Sequence, residues 1–147
     1  MLVAIGSDHG GFKLKEDLKK FLDEENYAYQ DLGVFSEAKA DYPDTALKVA
    51  REVAGGKFER GILICGTGIG MCVAANKVNG IRAALCHDVF SAKLARNHNN
   101  ANILTMGERV VGCGLARMIA KTWLEASFDG ERHAARVDKI TGIEKLQ

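Results

Sequence analysis

The chain has 147 residues and a net charge of +1, with 47% hydrophobic residues, 27% charged residues and one proline, a composition typical of a globular protein. A chain of this length buries roughly 68% of its unfolded surface on folding, so residues 1–147 are predicted to form a single domain. The near-neutral charge argues against nucleic-acid and membrane partners, which select basic surfaces. No basic leader precedes the first apolar run and no apolar stretch approaches the ~18 residues of a membrane span, so a cytoplasmic protein is expected.

Strand-like apolar runs alternate with helical patterns along the chain. The predicted strands cover residues 2–5, 27–32, 62–65, 81–86 and 102–106, of which the second is the weakest. Helices are predicted after Gly11, after Asp44 as a helix cap, and over 111–128. A last helix over 131–147 has no strand after it and carries an apolar stripe of Val137, Ile140 and Ile143. This alternation predicts a three-layer α/β/α sandwich, Rossmann-like, with a five-stranded parallel sheet and an extra C-terminal helix.

Polar residues follow most of the predicted strands, where ligands bind in open parallel sheets. The first strand runs into Asp8 and His9, and the third into the glycine-rich loop Gly66, Thr67, Gly68, Ile69 and Gly70. Successive backbone amides of such a loop can converge on an anion. The loop lacks the Gly-Lys-Ser/Thr of a Walker motif and the third glycine spacing of a dinucleotide fingerprint. A bare tight turn is the alternative interpretation.

Four cysteines, at positions 65, 72, 86 and 113, form no Cys-x-x-Cys pair, which predicts reduced thiols in a reducing compartment. Cys72 and Cys113 fall within predicted helices and are expected in the core. Cys65 lies directly before the glycine loop, whose amides favour a thiolate able to act as base or nucleophile. A small buried hydrophobe is the alternative for Cys65.

His9 and His98 are candidate general acids. His9 follows the first strand, and His98 lies in a polar helix terminus before the fifth; we expect both at the same edge of the sheet. A structural role is the alternative for each. A metal site through Asp8, His9, Cys65 and His98 ranks low, because these residues lack zinc-ligand spacing.

Arg132 and Arg136 are four residues apart and share a face of the last helix. A guanidinium pair at this spacing can hold a phosphate through forked hydrogen bonds, and Arg109 after the fifth strand could join it. A solvated basic face is the alternative. Because the same helix carries an apolar stripe, it is predicted to dock on a second copy, giving a homodimer in which both arginines act in trans.

Taken together, these motifs resemble the type B ribose-5-phosphate isomerases, a family grouped with galactose-6-phosphate isomerase subunits. The resemblance spans the chain and rests on GSDHGGF at 6–12, DYP at 41–43, GILICGTGIG at 61–70, AANK at 74–77, GIRA at 80–83, HN at 98–99 and GERH at 130–133, followed by Arg136. It implies an enzyme without a cofactor or metal that interconverts ribose 5-phosphate and ribulose 5-phosphate in the non-oxidative pentose phosphate pathway. It also implies a homodimer, with a tetramer as the alternative.

The resemblance also assigns residues. It implies Cys65 as the base, His98 as the acid that opens the sugar ring, and Thr67 as an assisting group. It implies substrate binding by Asp8, His9, Gly66, Thr67, Gly68, Ile69, Gly70, Asn99, Arg109, Arg132 and Arg136.

Three other functions stay open at the level of sequence. One is an isomerase of a six-carbon sugar phosphate, such as allose or galactose 6-phosphate. Another is a metal-assisted sugar isomerase. The third is a phosphate- or nucleotide-binding module without catalysis, in which Asp31 near the end of the second strand would bind a ribose.

Overall fold

The computed structural model describes residues 1–146, so Gln147 at the end of the predicted last helix lies outside the described residues. The strands are β1 (Leu2–Ser7), β2 (Ala28–Asp31), β3 (Arg60–Cys65), β4 (Ala83–Leu85) and β5 (Ile103–Gly107). The α-helices are α1 (Phe12–Glu24), α2 (Tyr42–Ala54), α3 (Ile69–Ala75), α4 (Val89–Asn97), α5 (Cys113–Glu125) and α6 (Arg132–Ile143). Short 3-10 turns follow β1 at His9–Gly11 and α6 at Glu144–Leu146.

All five strands are parallel and lie in the order β2-β1-β3-β5-β4. The central strand β3 pairs with β1 on one side, where Ser7 lies opposite Ile64, and with β5 on the other, where Cys65 lies opposite Gly107. The predicted parallel sheet is therefore confirmed, and the carboxyl ends of β1, β3 and β5 meet at one edge.

Helices cover both faces of the sheet, as a sheet of parallel apolar strands requires. On one face the apolar sides of α1, α4 and α5 pack on alternate strand residues, including Val3, Ile62 and Leu104. On the other face α2 and α3 pack on the intervening residues, including Ala4 and Leu63. The three-layer sandwich is confirmed, and α6 is the additional C-terminal helix without a following strand.

The element boundaries differ from the predictions at several places. The fourth strand has only three residues, because Ile81 and Arg82 belong to the preceding loop, and α5 ends at Glu125. The prediction that Asp44 caps a helix was wrong: Asp41 occupies the N-cap position and Asp44 is the third residue of α2. The cause is Pro43, whose fixed φ suits the first turn of a helix.

The cysteines are free, but not all lie in the core. Cys65 and Cys86 are buried, Cys72 is half-buried, and Cys113 is exposed. The expectation of a buried Cys113 was wrong because α5 begins at this residue, which leaves its side chain at the helix terminus. Across residues 1–146, the helices are too short or too polar to cross a membrane.

Candidate active site

The chain reverses its direction of winding between β1 and β3. After β1 it crosses to β2 on one side, and after α2 it returns to β3 on the other side of β1. Such a switch point leaves a crevice beyond the carboxyl ends of the two strands. Asp8 and the glycine loop follow these two strands, and the Asp8 amide donates a hydrogen bond to the Ile64 carbonyl at 3.3 Å.

Cys65 is the last residue of β3 and is only 5% exposed. Its sulfur accepts a hydrogen bond from the Gly68 amide at 3.1 Å. The loop can turn back in this way because Gly68 has a positive φ of 77°, which glycine adopts without strain. This hydrogen bond fixes the Cys65 sulfur at the start of the glycine loop, at the carboxyl end of β3.

The loop rests directly on the end of β5. A Cβ added to Gly107 would lie 2.6 Å from Thr67 backbone atoms, so only glycine fits there. The amides of Glu108 and Arg109 donate to the carbonyls of Cys65 and Gly66 at 2.9 and 3.0 Å. These bonds fix the loop. They also bring the exposed Arg109 guanidinium beside Gly66: a Cβ added to Gly66 would lie 3.2 Å from the arginine Nη1.

Asp8 and His9 lie next to this loop, at the end of β1. Asp8 is buried, and its carboxylate accepts a hydrogen bond from the Gly11 amide at 3.1 Å. The exposed His9 ring meets the backbone of Ala40, with Nδ1 at 3.0 Å from the carbonyl oxygen and 3.2 Å from the amide nitrogen. The residues so far described form the carboxyl-edge cluster: Asp8, His9, Cys65, Gly66, Thr67, Gly68, Ile69, Gly70 and Arg109.

His98 lies at the opposite edge of the sheet. It follows α4, which runs antiparallel to the strands and therefore ends near the start of β5, five residues before Ile103. The length of β5 separates this edge from Gly107 by about 13 Å, at about 3.3 Å per residue. The prediction that His9 and His98 share an edge was wrong, because being next to a strand in sequence does not say which end of the strand is near.

Five more polar residues gather around His98. The rings of His98 and His133 stack with centroids 4.1 Å apart and planes inclined by 7°. The Arg132 Nε donates to the His133 Nε2 at 3.5 Å, and the Asp129 amide donates to the Asn97 carbonyl at 2.9 Å. The amino-edge cluster thus comprises His98, Asn99, Asp129, Arg132, His133 and Arg136.

Burial, reinforced by the positive charges of Arg132 and Arg136 and by His98, lowers the pKa of His133. A neutral His133 can stack against His98 without placing two cations face to face. Arg132 and Arg136 are both exposed on the first turns of α6. The cluster is therefore a positively charged surface whose two arginines are open to an anion.

A model of the Ribose/Galactose Isomerase family matches residues 3–140. The chain belongs to this family. It is 49% identical over 97% of its length to "Ribose-5-phosphate isomerase B" of Escherichia coli, covering 96% of that protein. It is also 46% identical over 94% of its length to "D-erythrulose-4-phosphate isomerase" of Pectobacterium atrosepticum, covering 91% of it.

Solved structures of the family have the same fold. A ribose-5-phosphate isomerase B from Clostridium thermocellum superposes with a TM-score of 0.98 at 53% identity, covering 99% of both chains. The Mycoplasma genitalium enzyme, solved with bound ribulose-5-phosphate, gives a TM-score of 0.94 at 42% identity, covering 99% of this chain and 97% of that one.

The structure brings together only part of the site that the sequence predicted. Nine of those residues form the carboxyl-edge cluster, while His98, Asn99, Arg132 and Arg136 lie at the amino edge of the same chain. No role was predicted from the sequence for His133, although this residue belongs to the GERH motif. None was predicted for Tyr42 either, whose ring packs so close to the loop that a Cβ added to Gly70 would lie 2.7 Å from it. Asp129 carried no signal in the sequence.

The two clusters also bear on metal binding. The set of Asp8, His9, Cys65 and His98 does not assemble within one chain, because His98 is at the other edge. Atoms of His98, Asp129 and His133 lie within 4.8 Å of one another. An imidazole lone pair lies in the plane of its ring, so two parallel stacked rings do not aim at one ion.

Proposed function

We propose that this chain is an aldose-ketose isomerase that interconverts ribose 5-phosphate and ribulose 5-phosphate through a cis-enediolate. The observation that carries the proposal is the Cys65 sulfur, held by the Gly68 amide inside the switch-point crevice of a family member. Isomerisation needs a base, a site for a developing oxyanion and a means of opening the sugar ring. Residues of the two clusters supply these three requirements.

The carboxyl-edge cluster performs the proton transfer. The Cys65 thiolate removes the proton from C2 and returns it to C1, while a second proton passes from the C2 hydroxyl to the C1 oxygen. Between the two steps the negative charge lies on the enediolate oxygens. Amides of the glycine loop and the hydroxyl of Thr67, which is exposed, donate hydrogen bonds to this charge.

The amino-edge cluster opens the ring and holds the phosphate, and it does so for a second copy of the chain. His98 protonates the ring oxygen, and Arg132 and Arg136 bind the phosphate. Within one chain the two clusters lie at opposite edges of the sheet, so neither is a complete site. A two-fold dimer places the carboxyl edge of one subunit against the amino edge of its partner and completes both sites.

Exposed apolar residues border both clusters and support this dimer. Ile69 and Val73 on α3 are 54% and 57% exposed beside the glycine loop. Ile140 and Ile143 on α6 are 42% and 54% exposed, and they line a cavity of about 490 Å³ that also includes Asn99. Covering these side chains would add hydrophobic stabilisation to the pairing. The free thiols support a cytoplasmic location as part of the same proposal.

A panel of sugar phosphates tests the substrate. We expect the highest kcat/KM with ribose 5-phosphate, compared with allose 6-phosphate, galactose 6-phosphate and D-erythrulose 4-phosphate, and unchanged activity after treatment with a chelator. The last substrate is included because a relative carries its name. A higher kcat/KM with any other member of the panel would overturn the assignment, and loss of activity to the chelator would favour the metal-assisted alternative.

The non-catalytic alternative loses its main support in the structure. Asp31 was its expected ribose-binding carboxylate. Both Asp31 oxygens accept hydrogen bonds from Lys15, at 2.8 and 2.6 Å, and one also accepts from Lys19 at 3.0 Å. The carboxylate is therefore already neutralised inside the protein.

A further inference from the structure

Lys15 has a fully buried side chain, with 0% exposure, on the first turns of α1. A buried ammonium is costly unless opposite charge and hydrogen bonds surround it. Here it donates to both oxygens of Asp31 and to the carbonyl of Val34. The proposed chemistry does not use this lysine, so its burial calls for another explanation.

The contacts of Lys15 and Asp31 converge on the segment that follows β2. Asp31 accepts a hydrogen bond from the Gly33 amide at 2.9 Å, and Lys15 donates to the Val34 carbonyl. The ion pair therefore forms hydrogen bonds with two successive residues of segment 32–41, which leads from β2 to α2. Rings of Phe12 and Phe35 lie 5.3 Å from the ammonium, and a Glu16 carboxylate oxygen lies 3.7 Å from it.

Gly33 and Val34 in turn form hydrogen bonds with the end of β1. The Ser7 amide donates to the Gly33 carbonyl at 2.7 Å, and the Val34 amide donates to the Ser7 carbonyl at 2.8 Å. Ser7 is the residue directly before Asp8 and His9. At its far end the same segment meets His9 through Ala40, at 3.0 and 3.2 Å.

We infer that Lys15 is a positioning residue, whose buried ammonium holds segment 32–41 so that Asp8 and His9 are presented to the sugar phosphate. The inference rests on the proposed function for the identity of the substrate. A displacement of about 1 Å in a substrate-holding group can cost up to about 10²-fold in rate. Because Lys15 acts through the segment, its loss should act on substrate binding and not on the proton transfer at Cys65.

The first test is a double-mutant cycle between Lys15 and His9. We expect Lys15→Met to raise KM by about tenfold with kcat changed by less than about threefold, and to lower kcat/KM by clearly less when His9 is already Asn, because only the part of the effect that acts through Asp8 then remains. Lys19→Met is the matched control, because Lys19 contacts the same carboxylate but not the segment; it should leave KM within about twofold of the wild-type value. The inference would be overturned if Lys15→Met lowered kcat/KM by the same factor in the wild-type and His9→Asn backgrounds. It would also be overturned if Lys19→Met raised KM as much as Lys15→Met does.

A second measurement needs no substrate. Amide hydrogen exchange at Gly33, Val34 and Ala40 should become faster in Lys15→Met, while the amides of β3 keep their protection. Unchanged exchange at these amides would overturn the inference even if the protein is an active isomerase. Faster exchange in a protein that isomerises no sugar phosphate would instead refute the proposed function alone.

Asp31→Asn is a second variant that tests the same inference if Lys15→Met does not fold. It keeps a side-chain oxygen for the Gly33 amide but removes the charge that compensates the ammonium. We expect the same rise in KM and the same faster exchange in segment 32–41. Wild-type KM and exchange in a folded Asp31→Asn protein would contradict the inference.

Discussion

The two clusters of this protein are built in different ways. The carboxyl-edge cluster is held by backbone: amides of Gly68, Glu108 and Arg109 bond to Cys65 and Gly66, and Gly107 leaves room for the loop. The amino-edge cluster is made of side chains on the surface of α6 and on the loop after α4, joined by the stack of His98 on His133. On the proposed function, this difference would give the reacting end of the substrate a frame held by backbone hydrogen bonds, and its phosphate end side chains supplied by a second subunit.

The largest effect on kcat is expected at the carboxyl-edge cluster. Cys65→Ala should lower kcat by about 10² to 10⁴-fold, the range for loss of a general base, while the fold survives. The measurement is steady-state kinetics on the purified variant, with far-UV circular dichroism as the check on folding.

Cys86→Ala is the control for that experiment. Cys86 also follows a strand at the carboxyl edge, but burial raises the pKa of its thiol to about 12, so it stays protonated near neutral pH. Its removal should reduce stability and leave kcat almost unchanged. Near-normal turnover by Cys65→Ala would show that Cys65, like Cys86, is not the general base.

A smaller and more selective effect is expected at the amino edge. His98→Asn should slow conversion of the cyclic aldose by about 10²-fold, because ring opening loses its acid. Exchange of the C1 proton of ribulose 5-phosphate with solvent should be retained, since this ketose does not close into a furanose. Equal damage to that exchange, followed by NMR in deuterated water, would show that His98 takes part in the proton transfer itself.

The smallest signal, at most half of normal activity, decides which subunit supplies the amino-edge cluster. Inactive Cys65→Ala subunits are mixed with inactive Arg136→Ala subunits under conditions that exchange partners. If Arg136 acts in trans, one site of each mixed dimer carries both defects and the other is intact, so about half of normal activity per mixed dimer should return.

The matched control pairs two variants of the same edge. Cys65→Ala mixed with Asp8→Asn places one defect in every site of a mixed dimer, so no activity should return. If the first mixture also stays inactive although partner exchange is demonstrated, Arg136 serves its own subunit and the shared site is refuted.

The sequence predicts the fold and the carboxyl-edge cluster well for a physical reason. Buried parallel strands leave continuous apolar runs, and a glycine loop after such a run must lie at the carboxyl edge, so Cys65 and its loop are placed by local pattern alone. His98 was misplaced because a residue between a helix and the next strand belongs to the opposite edge. The stack on His133 depends on where α6 packs, which no local pattern encodes.

The length of β5 has a consequence for assembly. Because it keeps the two clusters of one chain apart, a lone subunit on the shared-site proposal is a complete fold without a complete site. Dissociation then switches off both sites of a pair in one event, and specific activity falls with dilution even though each monomer keeps its secondary structure. A substitution far from Cys65 that weakens pairing would therefore imitate a catalytic defect until the measurement is repeated at higher protein concentration.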